Sequence, residues 1–219
     1  MMRIYLIAAL MLATATALAQ TPPGRSEFYA GPVFTDGRNF SFDGGTSVNT
    51  DTGYGFVLGF GHQFNPKLSG AIELQWGSTD YRATVQPGTG NVLGAATLNG
   101  TMYTSTVRFL GTYHFMTGHF KPLVTGGLGW TYVDTNIPSG LPQNVCWFYP
   151  WVGEVCGTAT PTYTTTKFSY NAGAGARYDF GAGDKYFVRG LVNAQWIDFG
   201  GSLGTKELTQ YRIDFGLSF

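Results

Sequence analysis

The sequence predicts an all-β fold, an eight-stranded antiparallel transmembrane β-barrel built as an up-and-down meander. Three observations support this fold class. Apolar and polar residues alternate with a period of two over most of the chain, the pattern of strands with two different faces. Aromatic residues make up 16% of the chain and charged residues only 12%, about half the share usual in a soluble domain. Short turns also alternate with long connections, as in membrane barrels.

The N-terminal residues predict a secretory signal peptide over residues 1–19. A single positive charge at Arg3 precedes an apolar run over residues 4–12, and small residues end in an Ala-Leu-Ala sequence at positions 17–19. The alternative is a membrane-anchoring helix. Such a helix needs about 20 apolar residues, and this run is shorter than that. We therefore expect one barrel domain over residues 20–219.

The first half of the chain contains four predicted strands. The first, over residues 26–34, has the weakest pattern, and Pro32 within it should lie at a bulge or strand end because it lacks an N–H. Residues 53–64 and 68–78 form the next two, separated by a turn-favouring Asn-Pro pair. The fourth covers residues 101–115. The apolar face of these strands carries Tyr54, Phe56, Phe60, Phe64, Ile72, Leu74, Trp76, Tyr103, Val107, Phe109, Tyr113 and Phe115.

The second half repeats the pattern in four further strands. They are predicted over residues 122–134, 166–180, 186–199 and 207–219. All but the marginal first strand of the chain comfortably reach the roughly 9–11 residues that a tilted membrane-spanning strand needs. Their apolar face carries Val124, Leu128, Trp130, Tyr132, Phe168, Tyr170, Tyr178, Phe180, Val188, Val192, Trp196, Tyr211, Ile213, Phe215, Leu217 and Phe219.

The connections between strands alternate in length. Residues 35–52, 79–100 and 135–165 form long links after the first, third and fifth strands, whereas the links after the second, fourth and sixth are short. Outer-membrane barrels have short periplasmic turns and longer extracellular loops. The alternation therefore predicts which end of the barrel faces the cell exterior.

Size and charge decide which face of the strands points outward. A soluble eight-stranded barrel such as a lipocalin also alternates, but its apolar face points inward. The interior of eight strands is only just wide enough for side chains to fill, so these many rings would overfill it. We therefore expect the rings to face lipid and to form two aromatic girdles. The girdles contain Phe64, Phe115, Phe180 and Phe219 at the short-turn end and Tyr54, Tyr103, Phe168 and Trp196 at the other.

The signal peptide, the eight alternating strands and the C-terminal sequence YRIDFGLSF resemble small Gram-negative outer-membrane barrels. The resemblance covers the whole mature chain and is to the outer-membrane-protein-A-like, opacity-type porin family. It implies a place in the cell outer membrane, contact with membrane lipid and lipopolysaccharide, and insertion by the barrel-assembly machinery. In that family alternate apolar residues ending in a terminal aromatic resemble the assembly signal, and Tyr211, Phe215 and Phe219 match it.

Charged residues on the polar face are expected to lie in the lumen. An unpaired buried charge is very costly, so they should pair across the interior. Two interpretations remain open and are compatible: a salt-bridge plug, and a charged constriction that gates a pore for small solutes. The predicted lumen charges are Glu73, Arg108, Arg177, Asp179, Arg189, Arg212 and Asp214, joined by Glu27.

The third long link contains both cysteines of the chain. In an oxidising compartment Cys146 and Cys156 are expected to form a local disulfide. The alternatives are free thiols or half of a metal site, and the lack of a neighbouring histidine disfavours zinc. Exposed rings between the cysteines would mark a contact surface, or would fold over the barrel mouth or onto lipid. The rings are Trp147, Phe148, Tyr149 and Trp151.

The remaining chemistry favours a protein that is not an enzyme. Catalysis on outer-leaflet lipid needs a nucleophile and base near the outer rim, but His62, His114 and His119 are all predicted at the short-turn end. No cofactor or metal is expected. A nucleic-acid partner is disfavoured because the formal net charge is +0.

The expected function is that of a surface protein supporting envelope integrity, with weak porin activity. The alternative is an adhesin or surface antigen that acts on a surface ligand through loop 135–165. A third hypothesis, a channel for apolar solutes, requires a continuous apolar lumen. The predicted inward charges argue against it.

Overall fold

The computed structural model describes residues 24–41, 47–85, 96–138, 143–159, 162–200 and 204–219. The predicted signal peptide, residues 1–19, lies outside them. Within the described part of the chain, no helix is long and apolar enough to cross a membrane. The strands are β1 (Arg25–Thr35), β2 (Asn39–Ser41), β3 (Ser47–Thr50), β4 (Gly53–Asn65), β5 (Leu68–Val85), β6 (Ala96–His114), β7 (Phe120–Pro138), β8 (Gln143–Tyr149), β9 (Gly153–Ala159), β10 (Thr162–Phe180), β11 (Tyr186–Asp198) and β12 (Thr205–Ser218).

Eight of these strands form a closed antiparallel ring. Their order is β1, β4, β5, β6, β7, β10, β11 and β12, and each pairs with the next. Pairing of β1 with β12 closes the ring, with Phe28 opposite Leu217 and Thr35 opposite Gln210. The predicted eight-stranded meander is confirmed. Closure leaves the eight-stranded ring itself without a free edge, so its ladders satisfy most backbone polar groups of the barrel strands on both sides.

Four barrel strands are longer than the sequence pattern predicts. β5, β6, β7 and β10 contain 18 or 19 residues each, so residues assigned to long connections are paired strand instead. The extension of β5 pairs with β6 as far as Val85 opposite Ala96. These extensions are rich in Thr and contain other polar residues, so their apolar alternation is weak. The backbone of the extensions is still paired, but it lacks the alternation of lipid-facing apolar residues by which the other parts of these strands were predicted.

Two of the predicted long connections contain strands of their own. Within residues 35–52, β2 pairs with β3, and β3 pairs with the extension of β5. Within residues 135–165, β8 and β9 form a separate two-stranded sheet that pairs with neither neighbour. The connection between β7 and β10 therefore contains a hairpin that does not pair with the barrel strands.

Pro32 does not lie at a bulge or strand end, so that expectation is wrong. It lies inside β1 and is in register with Phe56 of β4. On the β12 side the ladder skips Gly31 and Pro32 but keeps its register, from Ala30 opposite Phe215 to Val33 opposite Arg212. An interruption of two residues in one ladder accommodates the missing N–H without a bulge.

The faces of the barrel are inverted relative to a soluble protein. Large apolar side chains such as Phe60, Phe109 and Phe215 lie exposed on the outer surface, whereas Glu73 and Asp214 are fully buried inside. The assignment of faces from ring size and charge therefore agrees with the structure. The site of interest is the charged interior and the hairpin at one end.

Candidate functional site

Glu73 lies at the centre of the lumen. Its Oε1 accepts hydrogen bonds from the Tyr29 hydroxyl at 2.7 Å and from Arg212 Nη2 at 2.6 Å. Its Oε2 accepts from Arg108 Nε at 2.7 Å and from Arg212 Nη1 at 2.8 Å. Arg108 also donates through Nη2 to Gln75 Oε1 at 2.7 Å. One carboxylate thus joins side chains from β1, β5, β6 and β12 across the barrel.

Asp214 extends this group of charges to β11. Its carboxylate accepts from Arg189 Nε at 2.9 Å and from Arg212 Nη2 at 2.9 Å. The Arg189 guanidinium also lies 4.3 Å from the centre of the Tyr29 ring, within cation–π distance. We call Glu73, Arg108, Arg189, Arg212 and Asp214 the central cluster. Its three guanidiniums and two carboxylates leave one positive charge in excess.

A second group of charges lies toward the short-turn end. Arg177 donates through Nη1 to Glu27 Oε1 and through Nε to Asp179 Oδ1, both at 2.7 Å. Lys121 Nζ lies 2.7 Å from the other oxygen of Asp179. The Arg177 guanidinium stacks 3.8 Å from the centre of the Phe187 ring. These four charges, the lower cluster, balance one another.

Strand register explains how a local pattern places these charges together. Arg212 and Asp214 are two residues apart and share the inner face of β12. Glu73 is directly opposite Arg108 in the β5–β6 ladder, so these two pair as cross-strand neighbours. The contact between Arg212 and Glu73 is different, because it crosses the lumen and joins residues 139 apart in sequence.

Every predicted lumen charge lies inside the barrel and contacts an opposite charge. Among the described residues no ion pair joins the two sets of charges, which the sequence did not indicate. Alternation also missed Tyr29 and Lys121. A tyrosine on the inner face of the weakest strand gave no signal, and Lys121 lies one residue outside the predicted strand 122–134.

Neutral polar side chains form a belt above the central cluster. Thr131 Oγ1 lies 3.0 Å from each of Thr106 Oγ1, Ser169 Oγ and Gln195 Nε2. Gln210 Nε2 donates to Gln195 Oε1 at 2.9 Å. This polar belt separates the charged part of the lumen from its long-connection end.

The β8–β9 hairpin presents an apolar tip. Cys146 is opposite Cys156 in the ladder and is joined to it by a disulfide with an S–S distance of 2.02 Å. At the turn, Trp151 is 96% exposed and Phe148 is 76% exposed, with Tyr149 also exposed. The side chain of Trp147, the fourth predicted ring, lies outside the described residues.

The fold agrees with comparisons to known proteins. The family model for the outer membrane protein beta-barrel domain matches residues 5–219. The chain belongs to this family. The protein is thus an outer-membrane barrel, and its short-turn end is the periplasmic end in such barrels.

Two solved structures show the same fold at low sequence identity. The outer membrane protein OprG of Pseudomonas aeruginosa is 16% identical, with a TM-score of 0.52 over 90% of this chain and 96% of that chain. Neisserial surface protein A is 13% identical, with a TM-score of 0.50 over 88% of this chain and 95% of that chain. No curated protein matches the sequence.

The three histidines of this outer-membrane barrel lie at or near its periplasmic end. His114 is buried near the end of β6, His119 lies 3.0 Å from Asp184 in a turn region, and His62 packs beside Phe64 on β4. They are on different elements, and each is away from the extracellular rim where outer-leaflet lipid lies.

The last strand of this outer-membrane barrel presents its predicted assembly residues outward. Tyr211, Phe215 and Phe219 are all exposed on the lipid-facing surface. The backbone of Phe219 exchanges two 2.9 Å hydrogen bonds with Ser26, so the terminal residue takes part in closing the ring.

Proposed function

We propose that this protein is a non-enzymatic surface protein whose closed barrel supports the outer membrane and does not conduct solutes. The observation that carries the proposal is the central cluster. Glu73 joins Arg108 and Arg212 from opposite sides of the lumen, and all three are almost completely buried. Surrounding lipid and lipopolysaccharide, together with the barrel-assembly machinery, are the partners that this role needs.

The energetics of the clusters support a closed state. Opening a path requires breaking the contacts of Glu73, and removing one partner of a buried ion pair is destabilising by about 3–5 kcal/mol. The lower cluster presents a second obstruction on the periplasmic side, where Arg177 bridges Glu27 and Asp179. Weak porin activity would require both groups to rearrange together.

Conductance of the refolded protein in planar bilayers tests this proposal. We expect no reproducible channel from the wild type. A triple variant, Glu73→Ser with Arg108→Ser and Arg212→Ser, should increase ion leakage because it shortens the side chains that cross the lumen.

The matched control replaces the same residue types at partly or fully exposed positions. Arg38→Ser with Arg82→Ser and Glu207→Ser should stay as silent as the wild type, since none of these side chains belongs to either cluster. Regular unitary steps from the wild-type protein would contradict a non-conducting barrel.

A second candidate function, surface contact through the β8–β9 hairpin, is favoured by the exposed tip. Trp151 and Phe148 project from a disulfide-closed hairpin that pairs with no barrel strand. Exposed apolar patches of this kind mark interaction sites in many proteins. An adhesin or surface antigen would use this tip to bind a surface ligand.

Adhesion of cells that display the protein tests the second candidate. Phe148→Ser with Trp151→Ser should reduce binding to host cells several-fold without changing the surface level of the protein. Asn144→Ala, on the same hairpin away from its tip, serves as the control. Equal adhesion by all three proteins would rule out a contact role for the tip.

A further inference from the structure

The lumen contains an apolar cavity at its extracellular end, apart from the charge clusters and the hairpin. Its volume is about 200 Å³. The wall comes from the inner faces of the barrel strands, and β2 and β3 contribute Phe40 and Val48 on one side. The barrel residues that form its apolar surface include Tyr81, Met102, Val133, Ile197 and Leu208.

The inner face of β12 shows how abruptly the lumen changes along its axis. Leu208 lines the cavity, Gln210 belongs to the polar belt, and Arg212 belongs to the central cluster. Inward positions of this barrel are otherwise mostly polar or glycine. A local group of inward apolar side chains surrounding a cavity is a feature of small-molecule sites, where apolar walls are combined with a few polar groups.

An adjoining cavity supplies such a polar group. It has a volume of about 20 Å³, shares Met102, Ile197 and Leu208 with the first cavity, and is also lined by Gln210, Thr106 and Thr131. Gln210 is only 3% exposed, and its Nε2 donates to Gln195. Its Oε1 is buried without a hydrogen-bond partner in the described structure. A buried acceptor of this kind calls for a donor, because leaving it unpaired is unfavourable.

We infer that this cavity binds a small apolar molecule that carries a hydroxyl group, with the apolar body against Ile197 and Leu208 and the hydroxyl donating to Gln210. The size suits a single aromatic ring or a short aliphatic chain, since an apolar cavity of about 150 Å³ already binds benzene. The site is a closed-ended cup. The polar belt and the central cluster lie beneath it, so binding requires no passage through the barrel.

The site is independent of the proposed function. A silent barrel and a conducting barrel both contain this cavity, and the hairpin tip contributes none of its lining. Binding and conductance are therefore measured separately, and failure of one proposal does not decide the other.

Titration of the refolded protein with phenol, followed by NMR of labelled methyl groups, tests the site. We expect saturable shifts at Ile197, Val133 and Leu208 with phenol. Ile197→Trp should abolish the shifts at Val133 and Leu208 by filling the cavity. Leu208→Phe, observed at Val133 and Ile197, provides a second filled variant if the first fails to refold. Ile213→Trp, the same change on the lipid-facing side of β12, should leave them unchanged.

Comparison of phenol with toluene, which has the same ring without a hydroxyl, tests the role of Gln210. Wild-type protein should bind phenol about fivefold more tightly than toluene, the ratio expected of one hydrogen bond. Gln210→Met should bring the two affinities together while toluene still binds. Absence of saturable shifts, or equal shifts in the filled variants, would overturn the site. An unchanged phenol preference in Gln210→Met would overturn the assigned hydrogen bond.

Discussion

At the scale of single residues, Glu73 shows how much one buried side chain can organise. Among the described carboxylates, its own is the one that Tyr29, Arg108 and Arg212 all contact. Buried ion pairs do not necessarily stabilise a fold, but removing one partner leaves the others uncompensated. Loss of Glu73 would therefore leave Arg108 and Arg212 without their shared partner inside the barrel.

Replacing Glu73 should destabilise the barrel strongly. Glu73→Gln removes one of two carboxylates among three guanidiniums, and we expect the free energy of unfolding to fall by about 3–5 kcal/mol. Urea unfolding of the protein in lipid vesicles measures the change. Glu207→Gln is the matched control, because its pair with Arg38 is partly exposed and should contribute within about 1 kcal/mol. Equal losses in both variants would contradict the role given to the cluster.

Gly59 also matters because of what lies opposite it in the lumen. A Cβ at this position would overlap the ring of Tyr29, the residue that donates to Glu73. Gly59→Ala should therefore lower the free energy of unfolding by about 1–3 kcal/mol through overpacking. At Gly190 a Cβ would meet nothing within 4 Å, so Gly190→Ala should change the free energy of unfolding by less than about 0.5 kcal/mol. The same unfolding experiment compares the two variants.

At the scale of elements, β12 combines two roles on its two faces. Its inner face supplies Arg212 and Asp214 to the central cluster, and its outer face carries Tyr211, Phe215 and Phe219. The alternation of this strand was clear in the sequence. Its pairing with β1 was implied by the closed-barrel prediction, but the residue register of that pairing appears only in the folded ring.

The terminal aromatic should act in assembly more than in stability. Phe219→Ser is expected to lower the amount of folded protein in outer-membrane fractions several-fold, measured as heat-modifiable protein on gels, because the assembly signal loses its last ring. Phe115→Ser removes an exposed ring that directly follows β6 at the same end of the barrel and should have little effect. Both variants should refold equally well in detergent. If both also reach the outer membrane of cells in equal amounts, the assembly role of Phe219 is wrong.

The β8–β9 hairpin should depend on its disulfide, because its strands pair only with each other. An isolated two-stranded hairpin is marginal in water, and a disulfide closing a loop of this size contributes about 2–3 kcal/mol. Cys146→Ser with Cys156→Ser should speed proteolytic cleavage of the hairpin several-fold. The unfolding transition of the barrel should stay where it is in the wild type. A parallel drop in barrel stability would show that the hairpin is not independent.

At the scale of the whole molecule, the lumen is ordered along its axis. From the periplasmic end it passes the lower cluster, the central cluster and the polar belt, and it ends in an apolar cavity. The outer surface is largely apolar and aromatic around the charged part of the lumen, but beside the cavity it carries polar residues such as Asp80 and Arg82. One chain satisfies both requirements because successive residues of a strand point to opposite sides.

The orientation in the membrane can be measured with single-tryptophan variants. A protein that retains only Trp130, which is exposed on the outer surface of β7, should be quenched strongly by lipids brominated midway along the acyl chain. A protein that retains only Trp151 should be quenched little, because the hairpin extends beyond the barrel. Equal quenching of the two would mean that the tip inserts as deeply as the barrel wall.

Local sequence patterns were enough to predict the number of barrel strands, their faces and the identity of most lumen charges. Period-two alternation is local, and ring size decides which face fits an eight-stranded interior. Local patterns also explain the errors. The extensions of β5 and β10 lack lipid-facing alternation, and Pro32 lies at an interruption in one ladder that no neighbour in sequence could reveal.

Which charges form pairs, in contrast, depends on the closed three-dimensional ring. Arg177 and Arg189 face each other in the β10–β11 ladder, yet Arg177 pairs with Glu27 and Arg189 with Asp214, in different clusters. Ring closure brings residues more than a hundred positions apart within hydrogen-bond distance, as with Arg212 and Glu73. It also encloses the apolar cavity, which no single strand contains. Alternation along a strand determines whether a side chain faces lipid or the lumen. Closure of the ring determines which other side chains it contacts there.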